Sequence, residues 1–409
     1  MTDLLLFRND LRLQDNPGLA YHSDAKNLLC VHIKQAPRPW CNTLGPGLHR
    51  KRFHQESLVH LQHQLRSHGQ ELLVLQGDPS QLLPQLVERF AVQRLGMAEE
   101  PGVYENSLVQ NLRQKLDIPL VVHRGNSLFS GDRLDALLPT LPPHYTPFRQ
   151  ALAGEPHRAA LDTPALPPTP PGLRASTVTA DSVTPHPAFI VRGGEAEAQR
   201  RLHDWLFRER AVDHYLETRN QLDGLYSSSG LSPWLASGCL SVRVVADAID
   251  QYEDRFGESD STQHLRKELL WREFFHWRAT RDGHHLFRIG GAQRKLNRCC
   301  FEPRSFARWC AGDTDYPLVN ALMHQLVETG WMSNRGRQIA ASCLINEMQV
   351  DWRFGAAFFE KHLVDFDVAS NYGNWQYIAG VGADPRGGRH FNLEKQAKTY
   401  DPEGTFTRC

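Results

Sequence analysis

Asp3-Leu4-Leu5-Leu6-Phe7-Arg8 opens this chain with four apolar residues held between two charges. A run this short and this uniformly apolar reads as a strand covered on both faces. Asp15-Asn16-Pro17 follows, a capping side chain ahead of proline at the first helical position. From there strand and helix alternate. Leu28 to Ile33 reads as strand, His49 to His68 as an amphipathic helix closed at Gly69, Leu72 to Leu75 as strand and Pro79 to Phe90 as helix. Val92 to Met97, Ser107 to Leu116 and Leu120 to Val122 continue the alternation as strand, helix and strand. The pattern predicts a parallel sheet with helices on its faces, an α/β domain over residues 1–135. Such sheets take ligands at the carboxyl ends of their strands. No G-x-G-x-x-G follows the first strand, so no dinucleotide site is expected there.

Composition then shifts. Residues 136–194 are rich in Pro, Ala and Thr and include Pro167-Pro168-Thr169-Pro170-Pro171. Proline removes donors and fixes φ, so this stretch is expected as an extended interdomain connector outside the core. From Glu195 to the end helices dominate: Glu195 to Arg210, a short helix from Ser232-Pro233 to Gly238, one capped by Ser241, then His264 to Thr280, Pro317 to Thr329, Ser333 to Val350 and Phe354 to Phe366. Residues 195–409 are therefore expected as a second, all-α domain.

The totals narrow the class. At 409 residues the chain exceeds one core. Its 46 Lys plus Arg balance 46 Asp plus Glu, so a nucleic-acid partner would have to be met by a local basic patch. The 20 His show no metal-ligand spacing and the eight Cys no CxxC pair, which argues for no metal and for free thiols in a reducing compartment. No apolar run is long enough for a membrane span. The expected setting is the cytoplasm, and the expected state a monomer.

Three stretches concentrate chemistry. In Tyr226-Ser227-Ser228-Ser229-Gly230-Leu231-Ser232-Pro233, hydroxyls precede a helix N-terminus, an arrangement that serves equally as a turn with a cap or as a cradle for an anion. In Glu268-Leu269-Leu270-Trp271-Arg272, Glu268 and Arg272 stand four apart on one helical face, as in an ordinary ion pair. Between Asp365 and Asn392, carboxylates, carboxamides and large aromatics crowd together with many glycines. A core helix would not bury Asp365, Asp367, Asn371 and Asn374 unpaired, whereas a polar, aromatic-walled cavity would use them.

In combination these stretches resemble the flavin site of the photolyase and cryptochrome family, and Gly382-Ala383-Asp384-Pro385-Arg386-Gly387-Gly388-Arg389-His390-Phe391-Asn392 is similar to its DASH-type branch. The resemblance spans nearly the whole chain and implies an α/β antenna domain joined to a helical flavin adenine dinucleotide (FAD) domain. It implies that Ser228, Ser229, Leu231 and Ser232 hold the FAD phosphates with Tyr215 nearby. Arg272, Asn334, Arg337, Asp365 and Asp367 would line the cofactor, with Arg337 paired to Asp365. The Asn371 amide would approach flavin N5, where it can donate or accept. Glu268 would hydrogen-bond a damaged base pair and donate a hydrogen bond or proton to the dimer, while Trp271 stacks on it. Gln338 and Tyr377 would be further substrate contacts, at positions where many relatives carry Met and Trp, and Arg386 and Arg389 would meet the phosphate backbone.

The same likeness makes Trp375 and Trp352 the first members of an electron-relay chain. Cys299 takes the place of the third member, so the exit would pass to Trp309, Tyr316 or another aromatic. Glu100 and Glu105 would touch a methenyltetrahydrofolate antenna. The implied activity is light-driven repair of cyclobutane pyrimidine dimers. Single-stranded DNA is the preferred partner, because flipping costs least there, with duplex DNA or RNA as other partners. A blue-light sensor without repair, and a flavoprotein that uses no light, are the competing readings.

Overall fold

The computed structural model describes residues 2–129, 131–174, 177–179, 183–224, 226–295 and 299–408. Thr2–Phe7 forms β1, buried along its whole length. It pairs in parallel with β2 (Asn27–Lys34) on one side and, across a register shift near Thr2, with β4 (Val92–Ala98) on the other. β3 (Leu72–Gln76) extends the sheet beyond β2, and β5 (Leu120–His123) beyond β4. All pairings are parallel, in the order β3-β2-β1-β4-β5.

The uniform apolarity of β1 has the expected cause. Leu4 and Leu6 join Leu29, Val31 and Met97 in a cluster on one face. Leu5 and Phe7 join Leu28 and Cys30 on the other. That second face is continuous with the core of the helical half, through Phe53, Leu58, Leu61 and Leu65 of the helix Leu48–Ser67. Asn16 caps the first helix as its sequence predicts, accepting from the backbone N–H of Gly18 and Leu19.

Several expectations need revision. The helix expected from Ser107 begins at Val103, behind Gly102, where the sequence offers no side-chain cap. The helices expected over 195–210 and 333–350 each end in a π turn: Glu195–His203 runs into Asp204–Arg208, and Asn334–Ser342 into Cys343–Glu347. Such turns lack a simple periodic signature and often mark functional sites. The helix expected from Phe354 starts at Trp352, because Asp351 caps it by accepting from the Arg353 N–H.

The proline-rich stretch is extended in part but does not lie outside the core. It contains the helix Tyr145–Ala151, with Phe148 fully buried, and it buries Phe189 and Val191 as well. Pro168 accepts a hydrogen bond from the Leu28 N–H at the start of β2, and Gln70 donates to the Pro167 carbonyl. Proline withholds its own N–H but keeps its carbonyl, and that is the group used here. Among the described residues no helix is long and apolar enough to cross a membrane, and the seven described cysteines are free thiols.

The halves are joined by buried charge. Asp15 and Arg243 have no exposed side-chain surface and lie 2.7 Å apart. Asp15 also accepts from the Ser241 hydroxyl. Arg243 donates to the carbonyls of Ser127 (2.6 Å) and Gly125 (3.2 Å), and Arg12 donates to Gly125 and Gly238 at 2.9 Å each. Removing one partner of such a pair leaves a buried ion without compensation. Asp15→Ala is therefore expected to cost about 3–5 kcal/mol of stability in urea unfolding. A loss under about 1 kcal/mol, the size of an exposed pair, would show that the contact does not clasp the halves.

Candidate functional site

A cavity of about 540 Å³ opens in the helical half. It brings together residues from all three chemically dense stretches: Ser228, Ser229, Leu231 and Ser232; Glu268, Trp271 and Arg272; and Asp365, Tyr377 and Arg389. Tyr215, Asn334, Arg337 and Gln338 line it too. At its centre Arg337 donates to both oxygens of Asp365, at 2.8 and 3.0 Å. The Ser232 hydroxyl donates to the same carboxylate at 2.6 Å. Ser232 is the first residue of the helix Ser232–Ser237 and makes no side-chain cap, so its hydroxyl serves Asp365 instead.

The serine loop is held from behind. Arg201 donates to the carbonyls of Ser229 (2.8 Å) and Ser228 (3.2 Å) and lies over the Tyr226 ring at 4.8 Å. Burial lowers the Arg201 pKa to about 10, still far above neutrality, so the cation persists. Sequence reading missed Arg201 because it sits within an unremarkable helix, with no motif to flag it. Arg219, just past the helix Tyr215–Thr218, and Arg335, between Asn334 and Arg337, were also missed, and both line the cavity.

Glu268 and Arg272 do not form the pair that their spacing suggests. Arg272 turns to the carbonyl of Asn126 at 2.8 Å. Glu268 instead accepts from Arg219 at 2.6 Å and contacts His264 at 3.1 Å. Burial pushes the Glu268 pKa up, but the His264 hydrogen bond and the Arg219 charge outweigh it and hold the group below the ordinary glutamate value. Glu268 is thus a carboxylate at neutral pH, which removes it as a proton donor in this state. Trp271 presents one side to the cavity, and Tyr145 stacks on it at 3.7 Å between ring centres and 8° between planes. Tyr145 comes from the proline-rich stretch, so periodicity gave no sign of it. Tyr377 meets Trp271 edge-on at 6.0 Å, and Arg389 donates to the Tyr377 hydroxyl at 2.6 Å.

A small annex of about 80 Å³ adjoins the cavity and shares Asn334, Arg337, Gln338 and Asp365 with it. Asn371 lines the annex, its amide donating to the Ala356 carbonyl at 3.0 Å. Asp367 borders it as well, but its carboxylate caps the helix Val368–Ala379 by accepting from Ser370. Trp375, also in the annex wall, packs so tightly on the preceding helix, Trp352–His362, that a Cβ at Gly355 would clash with its ring. Trp352 starts that same helix one turn earlier and is fully buried. Cys299 lies beside the Trp352 backbone, half-buried, its thiol pushed up to about 11 by burial. Trp309 meets Trp375 at 6.1 Å but is fully buried, so it is not a surface exit; Tyr316, with its hydroxyl toward Glu347, is half-exposed.

Two expected groupings separate. Arg389 lines the cavity, whereas Arg386 stands in a different open crevice with Arg278, Arg281 and Lys295. Glu100 faces a crevice at the end of the sheet, and Glu105 is not part of that crevice.

The cavity suits FAD. Five arginines and two carboxylates line it, a cationic lining on a chain of zero net charge, which matches a diphosphate. The serine loop at a helix start offers hydroxyl and N–H donors, and Trp271 and Phe275 offer ring faces. Ser228, Ser229, Ser232 and Arg337 line the part of the cavity that could hold it.

A family model described as the FAD binding domain of DNA photolyase matches residues 265–409, and one described as DNA photolyase matches residues 3–171. The cryptochrome DASH of Idiomarina loihiensis is 40% identical over 98% of this chain and 91% of its own length. That of Vibrio parahaemolyticus is 41% identical over 98% and 92%. The crystal structure of a Synechocystis sp. cryptochrome superposes with a TM-score of 0.94 at 35% identity, covering 100% of this chain and 88% of that one. A class III photolyase from Agrobacterium tumefaciens superposes with a TM-score of 0.84 at 29% identity, covering 100% of this chain and 86% of that one.

Arg337→Ala leaves Asp365 nearly buried with only the Ser232 hydroxyl. A buried charge-assisted bond is worth about 1.5–3 kcal/mol. The variant should therefore bind FAD at least about tenfold more weakly in a fluorescence titration, and unchanged affinity would exclude the pair from the flavin site.

Proposed function

We propose, for a chain that belongs to the photolyase and cryptochrome family and within it to the DASH-type cryptochromes, that it repairs cyclobutane pyrimidine dimers in light, preferring single-stranded DNA. One observation carries this reading: Trp271 and the ionised Glu268 line the same cavity as the Asp365–Arg337 pair. A stacking face and a hydrogen-bond acceptor thus stand beside the place for the cofactor. When bound and reduced, FAD supplies under light the electron that splits the cyclobutane ring, and it recovers that electron afterwards.

The residues do the positioning. Trp271, backed by Tyr145, offers a rigid apolar face to a flipped pair of bases; stacking is worth about 1–3 kcal/mol per base. Glu268, held by Arg219, accepts from ring N–H groups of the pyrimidines, which carry no other strong donor on that edge. Asn371 offers a carboxamide, able to donate or accept, in the annex. Tyr377 supports the strand preference: its hydroxyl is already engaged by Arg389 and its ring meets Trp271 edge-on. The wall opposite Trp271 is therefore weak, and weak stacking extracts bases most easily where no duplex must be opened. For an antenna we propose methenyltetrahydrofolate, with Glu100 and Glu105 as its contacts, the latter on the first turn of the helix Val103–Lys115.

Blue-light repair of a thymine dimer in matched single- and double-stranded oligonucleotides, with chemically reduced protein, tests the reading. Repair confined to the single strand is expected. Equal repair of both would discard the strand preference, and no repair with FAD bound would turn the assignment to a light sensor.

Glu268→Gln keeps the shape and removes the charge. It should retain FAD while weakening binding of dimer-containing strand about tenfold, the weight of a charge-assisted hydrogen bond. The pH dependence has a definite sign. A carboxylate held below its ordinary value contributes above that value and is lost as pH falls through its lowered one. Binding should stay level from about pH 7 to about pH 5 and fall only below the usual glutamate range near 4.3. A loss centred near pH 6 would mean that Glu268 is not the titrating group.

A further inference from the structure

Trp375 and Trp352 lead away from the flavin cavity into the protein, and Cys299 stands where a third tryptophan would open the relay to the surface. The packing supplies a different continuation. Among the described residues Trp352 makes a single aromatic ring contact, with Tyr372 at 6.4 Å between ring centres. Tyr372 lies one turn before Trp375 on the helix Val368–Ala379 and is fully buried. Beyond it Phe287 packs at 4.8 Å, and Trp40 meets Phe287 edge-on at 6.2 Å. Trp40 belongs to the short antiparallel pair Pro39–Trp40 and Thr43–Leu44, in the sheet half, and is only half-buried. A line of rings thus runs from the annex wall, across the seam between the halves, to the surface.

These rings differ in where their protons can go. Trp352 and Trp309 donate their indole N–H groups to the carbonyls of Ile289 and Ala340, at 3.0 Å each. A backbone carbonyl accepts a hydrogen bond but does not take the proton. An electron vacancy on either indole therefore stays a buried cation, which is costly. Tyr372 is built otherwise. Its hydroxyl donates to Glu360 Oε2 at 2.7 Å, within reach for proton transfer. Burial and the Glu360 charge hold the Tyr372 hydroxyl well above its ordinary value, with the Trp40 indole pulling the other way. The phenol therefore does not ionise by itself. Burial also raises Glu360, against the pull of Tyr372 and Arg50, and so makes it a stronger base. Loss of an electron and a proton together leaves the phenoxyl and the carboxyl both neutral.

We infer that Tyr372 is the third member of the electron relay in this chain, with Glu360 as its proton acceptor and Trp40 as the exit to the surface. The inference rests on the light-driven flavin reading. Trp375 loses one electron to light-excited, oxidised FAD, and Trp352 refills it. Tyr372 refills Trp352 while its proton passes to Glu360. Trp40 then gives one electron to Tyr372, and Glu360 returns the proton. A soluble thiol restores Trp40 and releases its proton to water. Two such passages deliver two electrons to FAD and join two thiols as a disulfide. Phe287, whose ring is too hard to oxidise to hold the vacancy, packs between the two members.

The test uses the full chain with oxidised FAD bound, under blue light without oxygen. Frozen under light in the absence of thiol, the unaltered chain should give a tyrosyl radical by electron paramagnetic resonance. Tyr372→Phe should lose that signal and, with dithiothreitol present, bleach the flavin band severalfold more slowly, at unchanged FAD content. Glu360→Gln keeps the ring and should slow formation of the radical severalfold. Trp40→Phe should keep the signal but lengthen its life in the presence of dithiothreitol. A tyrosyl signal that survives in Tyr372→Phe overturns the assignment. So does full-rate bleaching in Tyr372→Phe beside slow bleaching in Trp352→Phe or Cys299→Ala, which would route the exit elsewhere. An unchanged radical lifetime in Trp40→Phe overturns the exit through the sheet half. Full-rate bleaching in Trp352→Phe as well as Tyr372→Phe would remove the relay reading itself, and the exit with it.

Discussion

Asp15 and Arg243 are both withdrawn from water, and each is tolerable there only because the other is present. Asp15 belongs to the loop after β1; Arg243 belongs to the helix Val242–Phe256 of the other half. They converge, with Arg12, on the backbone between Gly125 and Ser127. The same short loop is gripped from the third side by the helix that carries Glu268 and Trp271. Arg272 takes the Asn126 carbonyl, and the Glu273 carboxylate accepts from the Ser127 hydroxyl and the Leu128 N–H. The orientation of the helix that carries Glu268 and Trp271 is thus set by buried polar bonds to the sheet domain, over and above packing within its own half.

That arrangement explains how a chain without net charge can present strong local fields. Cations are distributed by role. Arg12 and Arg243 are buried in the clasp, Arg201 props up the serine loop from behind, and Arg219, Arg335, Arg337 and Arg389 reach the cavity. Each of those facing the cavity has a polar anchor: Glu268, Asn220, Asp365 and Tyr377 respectively. Anchored guanidinium groups lose little further freedom when a ligand arrives, which is the physical content of preorganisation.

How much of this was legible follows from which signals are local. The four apolar residues of β1 and the Asn16-Pro17 start disclose the parallel sheet, because two-sided burial and helix capping leave marks within a few residues. The residues of the serine loop, of Trp271-Arg272 and of the Asp365 stretch, which the sequence reading grouped by resemblance, line one cavity. Pairings were another matter. Spacing on a helix suggested Glu268 with Arg272, but a tertiary partner, Arg219, won that carboxylate. Helix ends that pass into π turns were read too long, since a five-residue turn shifts the apolar period without breaking it. Arg201 and Tyr145 were invisible because each acts on a residue far away in sequence.

Tyr145 has an implication for how the two halves relate. The residue stacked behind Trp271 is contributed by the segment that joins the domains, and its hydroxyl is fixed to the Lys267 carbonyl of the same helix. The joining segment therefore braces a wall of the cavity from behind and cannot be treated as a tether of adjustable length. A helical half excised at Glu195 would keep the cavity-lining side chains yet lose the ring that backs Trp271. Transplanting that half onto another sheet domain would require carrying residues 145–151 with it. In modular terms, the unit that can be exchanged among such proteins is the helical half together with its leader, and the seam between parts lies upstream of the proline-rich run.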